Sequence, residues 1–219
     1  MRFLRPTPRR IAVLVAATIG VGAGAAYAAS LSVGSWHLWA GSQALTKATC
    51  TLGASATTDT YVAQGSPGTS FGTNTTMLVR SNASSQDWSF IRFDLSSCNI
   101  PATGGADSAT LMLTVTSAPG NSRTITVTPV LSTWSNTLTW TGAQSLSYGA
   151  ATTTFATGTT TGTKTATVTV DVDNLIKSST ANFGWRLSDG GSGNQTTTFG
   201  TSQNGTAANR PQLVINYEK

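Results

Sequence analysis

The chain has 219 residues, and only 10% are charged, well below the roughly 25% usual for a soluble domain. Thr, Ser, Gly and Asn supply most of the polar positions, so the surface is neutral and rich in hydroxyls. The net charge is +5 (13 basic, 8 acidic), but Arg2, Arg5, Arg9 and Arg10 supply four of the basic residues; without the first 28 positions the balance is 9 against 8, or +1, which excludes a nucleic-acid-binding reading of the surplus.

In chain order, "MRFLRPTPRR" is a basic segment, "IAVLVAATIGVGAG" an apolar one, and "AYA" at 26–28 offers small residues for signal peptidase. Residues 1–28 are expected to be a signal peptide cleaved after Ala28, with no membrane span remaining; an uncleaved anchor is the alternative. Arg9-Arg10 raises the twin-arginine route, but "IAV" lacks the aromatic that such signals favour, so the general route is expected. Residues 29–56 show no clear period and are read as a leader strand or linker, pinned to the domain by Cys50. Trp36, His37 and Trp39 there are either an exposed aromatic patch or edge packing. Cys50 and Cys98 are the only cysteines, and a pair in an exported chain reads as a disulfide.

From residue 57 to 219 the pattern is one of strands, read as a single domain. "WSFIRFDLS" (88–96) places Ser89, Ile91, Phe93 and Leu95 on one face and Trp88, Phe90, Arg92 and Asp94 on the other. "ATLMLTVTS" sets Ala109, Leu111, Leu113 and Val115 against Thr110, Met112, Thr114 and Thr116. "TITVTPVL" sets Ile125 and Val127 inward, with Pro129 marking an edge or a bulge. "TATVTVDV" aligns Ala166, Val168, Val170 and Val172 as a strand face, and "DVDNLIKSS" is one turn of helix capped by Asp173 or Asn174. "QLVINYE" closes the chain with Leu213, Ile215 and Tyr217 together. Period-2 alternation broken by "ATGGAD", "APGNS" and "DGGSGN" predicts half-buried antiparallel strands. The expected fold is all-β: an antiparallel two-sheet β-sandwich, jelly-roll-like, of about nine to eleven strands. Trp134, Trp140 and Trp185 are expected to fill between the sheets.

Several stretches, in order, resemble one family. "DTYVAQGSPGTSFGTNTTMLVRSN" (59–82) is similar to the opening of the DNRLRE domain, also called carbohydrate-binding module family 96. "FIRFDLSS" (90–97), "SATLMLTVT" (108–116), "STWSNTLTW" (132–140), "VTVDVDNLIKSSTANFGWRLSD" (168–189) and "NRPQLVINY" (209–217) resemble its later segments. Asn136 stands where the family often has Glu, "DWS" (87–89) precedes the strand where an extra Arg is common, and Asp173 replaces a usual Thr. The resemblance implies an extracellular, non-catalytic β-sandwich of the kind found on secreted glycan-degrading enzymes and surface proteins, with alginate binding in part of the family.

The residues point the same way. Glu218 is the only glutamate and His37 the only histidine, so neither a Ser-His-Asp arrangement nor a paired glutamate site is supplied within 57–217. The aspartates lie mostly at turns and strand ends. No cofactor is called for; calcium on "DVDN" or "SDGGSGN" is conceivable chemistry, without calcium-loop spacing. A sugar ring needs a flat apolar surface for its C–H face and amides, hydroxyls or guanidinium groups for its oxygens. Trp88 and Arg92, with Arg80 on the preceding strand, are the candidate ligand-binding residues. The plainer alternative has Trp88 and Phe90 covering an edge and Arg92 paired with Asp94 on the surface. The expected function is a secreted carbohydrate-binding module with a polysaccharide or cell-surface glycan as partner; the alternative is a structural or adhesive surface protein.

Overall fold

A computed structural model describes residues 29–33, 36–40, 46–82, 84–177 and 180–219. Residues 1–28, with the expected leader and its cleavage point after Ala28, lie outside the described residues. No helix among the described residues is long and apolar enough to cross a membrane. The chain divides into two compact units, Met1–Ala44 and Leu45–Lys219. In the first, β1 (Ala29–Val33) and β2 (Trp36–Ala40) form an antiparallel hairpin in which Leu31 pairs with Leu38. Trp36, His37 and Trp39 all lie in β2.

The second unit is all-β and antiparallel. Its strands are β3 (Lys47–Leu52), β4 (Thr57–Ala63), β5 (Thr76–Ser81), β6 (Asp87–Phe93), β7 (Ala106–Ser117), β8 (Thr124–Pro129), β9 (Thr153–Ala156), β10 (Gly162–Thr167), β11 (Trp185–Asp189), β12 (Gln195–Gly200) and β13 (Gln212–Glu218). Two helices interrupt them, α1 (Trp140–Ala143) and α2 (Thr169–Ile176). The strand order is β3-β13-β7-β12-β5-β6-β11-β8-β9, with β10 on the other edge of β7 and β4 on the other edge of β6. The hydrogen bonds therefore do not separate two sheets, as the strand count suggested. One edge of β7 is shared by β13, along Ala106–Met112, and by β12, from Val115 onward. One edge of β6 is shared in the same way by β5 and β11. Leu52, near one end of this path, and Phe155, at the other, belong to one buried cluster, so the single sheet curls around its core.

The period-2 faces hold where the strand reading was right. Ala109, Leu111, Leu113 and Val115 are buried, as are Ile125, Val127, Leu213, Ile215 and Tyr217. β8 ends at Pro129, which has no N–H to extend the ladder. Trp185 fills the main core, almost fully buried.

One strand reading is corrected. "TATVTVDV" is a strand only as far as Thr167; α2 begins at Thr169. Helical spacing puts Val168 and Val172 together in the core, and leaves Val170 68% exposed instead of on a shared face. Asp173 and Asn174 lie inside α2, whose N-cap is Val168. The helix seals the start of β7, where Ala106 N–H donates to Asp173 Oδ1 and Ala109 N–H to Thr169 Oγ1. Within 29–56, read as a leader strand or linker, β3 pairs along β13 from Lys47 to Leu52. Cys50 and Cys98 form a disulfide with a Cα–Cα distance of 5.6 Å, tying β3 to the turn after β6.

Candidate functional site: an aromatic face with two guanidinium groups

The outer face of β6 is built by its two neighbours. On one edge β4 places Val62 opposite Trp88, Thr60 opposite Phe90 and Thr58 opposite Arg92. On the other, β11 places Arg186 opposite Phe90. Directly opposed residues share a face, so Trp88, Phe90, Arg92 and Arg186 project to the same side. That side is not an open edge. Val130, Trp134 and Ala143 are buried on it with Val62 and Phe90, and Leu138, Trp140, Leu146, Tyr148 and Phe183 pack around them. The chain from 130 to 148 thus forms a cover over β4 and β6. Trp134 Nε1 donates to the Phe183 carbonyl at 2.6 Å, Tyr148 O–H to the Ala143 carbonyl at 2.6 Å, and Thr139 Oγ1 caps α1 by accepting from Gly142 N–H. Gly72 sits so close beneath this cover that a Cβ there would collide with the Asn136 carbonyl.

At the margin of the cover the aromatic rings are only half-buried. Trp88 lies 4.5 Å from Trp140, tilted by 44°, and meets the edge of Tyr148 at 6.4 Å. The Arg186 guanidinium stands 4.6 Å from the Trp88 ring centre and 4.2 Å from that of Tyr148. Arg92 lies over Trp134 at 5.5 Å. A cation over an aromatic face gains about 0.5–2 kcal/mol, more as water is excluded. Burial pushes the Arg186 guanidinium down from its usual value, and the Tyr148 hydroxyl partly offsets this. Burial likewise pushes the Tyr148 phenol up, against the pull of Arg186. The ion pairs among the described residues are Arg80–Asp87, Arg123–Asp189 and Lys177–Asp173, so neither Arg92 nor Arg186 has a carboxylate. Arg186 Nε is buried and meets no hydrogen-bond partner among the described residues.

Of the three residues expected from the sequence, Trp88 and Arg92 are on this face and Arg80 is not. Arg80 pairs across the ladder with Asp87, whose side chain points away from the Trp88 side, and Nε donates to Asp87 Oδ2 at 2.9 Å. Phe90, which the plainer alternative has covering an edge, is fully buried in the second cluster. Asp94 is not the partner of Arg92 in an ion pair; its carboxylate accepts the Ser96 N–H at 2.9 Å, which holds its pKa low, with the nearby Arg92 charge a smaller influence. Trp140, Tyr148 and Arg186 stand on the same face and were not among the residues expected from the sequence. The one usable signal was the alternation Trp185–Arg186–Leu187, which in a strand sets Arg186 opposite its two apolar neighbours. Nothing in the sequence showed that the cover folds onto β11. The stretches considered for calcium bind protein donors: Asp171 accepts from Thr152 and Trp185, Asp173 from Ala106 and Lys177, Asp189 from Arg123.

Residues 51–217 match the family model for carbohydrate-binding module family 96. The chain belongs to this family. The match begins within β3 and ends within β13, so the family 96 module is the curled sheet with its cover, and the β1–β2 hairpin lies outside it. No curated protein matches the chain.

Proposed function

We propose that this family 96 module binds an acidic, carboxylate-bearing polysaccharide through Trp88, Trp140, Tyr148 and Arg186, with Arg92 beside them. The observation that carries the reading is Arg186, a half-buried guanidinium held between two rings with no carboxylate of its own among the described residues. A planar fork of donors matches a uronate carboxylate, and the indole and phenol rings offer apolar surface to the sugar's C–H face. Holding the cation on the rings before the ligand arrives lowers the ordering cost of binding. The protein acts outside the cell, exported through residues 1–28 with cleavage after Ala28, and has no catalytic role. The single glutamate at 218 and the single histidine at 37 support the last point.

The test is retention in native gels containing alginate at low salt. The wild type is expected to be retarded, and the retardation to fade as salt is added. Arg186→Ala is expected to weaken binding about tenfold, the scale of one charged hydrogen bond. Arg92→Ala should weaken it less, and Arg80→Ala not at all beyond its effect on folding. A wild type that moves freely on acidic and neutral polysaccharides alike overturns the reading in favour of a structural or adhesive surface protein.

A further inference from the structure

A cavity of about 170 Å³ lies between α2, the end of β8 and the segment leading into β11. Its lining includes none of Trp88, Trp140, Tyr148 or Arg186. An apolar cavity of about 150 Å³ accepts a benzene ring, so this one has room for a single six-membered ring. Leu131, Leu175, Phe183 and Trp185 give it apolar walls, and Leu131 is 52% exposed at its rim. Asp171 is the charged residue of the lining, which holds no Lys, Arg or His.

Asp171 is oriented before any ligand arrives. Its Oδ2 accepts from Thr152 Oγ1 at 2.5 Å and from Trp185 Nε1 at 2.6 Å. No donor among the described residues reaches its Oδ1. An ionised carboxylate only accepts hydrogen bonds, so the group that completes it must donate. Vicinal sugar hydroxyls do so, while their ring turns its C–H face to an apolar wall. A carboxylate-bearing sugar would bring a second negative charge to Asp171, with no cation in the lining to offset it.

We propose that this cavity is a second carbohydrate site, taking one uncharged pyranose ring with Asp171 as the acceptor for its hydroxyls. The site has the opposite charge preference from the Arg186 face and does not depend on it.

The test is a titration of the isotope-labelled full chain by two-dimensional NMR, with the uncharged methyl glucoside, galactoside and mannoside, and with sodium glucuronate. At least one methyl pyranoside is expected to shift the backbone amides of Leu131, Leu175 and Phe183 saturably, with a dissociation constant in the millimolar range for so small a ligand. Glucuronate should bind about tenfold more weakly. Thr180→Trp, at an exposed position on the rim, should fill the opening and remove these shifts while leaving retention on alginate unchanged. The proposal is overturned if none of the three pyranosides shifts these amides, if glucuronate binds as well as they do, or if Thr180→Trp leaves the titration unaltered. Loss of alginate retention in the wild type alone would overturn the Arg186 reading and not this one.

Discussion

Phe90 and Trp88 are neighbours but two residues apart on one face of β6, and the structure treats them differently. Phe90 is fully buried against Trp134, while Trp88 is half-buried between Trp140 and Arg186. Phe90→Ala is expected to lower stability by about 3–5 kcal/mol, as a large cavity in a packed cluster does. Trp88→Ala should cost less, about 1–2 kcal/mol from lost ring and cation contacts. Chemical denaturation of the two variants measures both; equal losses would place Trp88 in the core. Asp59 and Asp87 are a second residue-scale case. Each is almost fully buried with its Oδ1 unpartnered, while Oδ2 accepts from Ser202 N–H and from Arg80 respectively. Burial is the largest influence on both and raises their pKa above 3.8, against the opposing hydrogen bonds. The folded protein therefore holds these protons more tightly than the unfolded chain. This contribution is fully present below the unfolded value and is lost as pH rises through the higher folded values. Asp59→Asn, which removes one of the two titrations, should reduce the loss of stability as pH rises above about 4, the unfolded value, as read by urea unfolding.

At the scale of the element, β3 is an edge strand, bonded along one side to β13. It shows the alternating burial of an edge, with Leu52 its one buried residue. The Cys50–Cys98 bond, across a sequence separation of 48, compensates for this thin attachment. Constraining a loop of that length in the unfolded chain contributes about 4 kcal/mol. Cys50→Ser with Cys98→Ser is expected to lower stability by an amount of that order. Amide exchange should then quicken in β3 and along its partner Leu213–Glu218 before it does in β8 or β11. A uniform acceleration would mean that the disulfide guards the whole sheet. β11 depends on its entry residue instead. Gly184 has a φ of +70°, and a Cβ there would run into the Ile91 carbonyl, so only glycine lets the chain approach β6 closely enough to set Arg186 beside Trp88.

Across the second unit the pairings are mostly long-range. β3 bonds to β13, and β12 and β13 both dock on β7, so the first and last strands of the sheet must meet before it is complete. Sheets dominated by such contacts fold in about milliseconds to seconds. Refolding followed by tryptophan fluorescence is expected in that range, with signal from the core through Trp185 and from the cover through Trp134. Microsecond refolding would show that local pairing suffices. The charge distribution also acts at this scale. Residues 29–219 carry 9 basic against 8 acidic side chains, so no strong overall field steers a ligand. Under the function proposed above, recognition of an acidic chain rests on the local pair Arg92 and Arg186.

The strands, their antiparallel arrangement and the inward faces of β7, β8 and β13 are determined by the sequence alone, because a half-buried strand must alternate and a one-residue slip would expose every apolar side chain. The disulfide was readable for a different reason: two cysteines allow one intramolecular pairing. Other features came only from the tertiary structure. Val168–Val172 alternates like a strand, yet after Thr167 it turns into α2, whose Thr169 and Asp173 side chains accept N–H groups at the start of β7. The curling of one sheet follows from β6 and β7 each sharing an edge between two partners, which no local pattern records. The candidate face is of the same kind. Trp88 and Arg92 were visible on one strand, but Tyr148 and Arg186 come from a cover and a strand brought in from 60 and 98 residues beyond Trp88, and only packing of that cover on β4 and β6 leaves a guanidinium between two rings without a carboxylate.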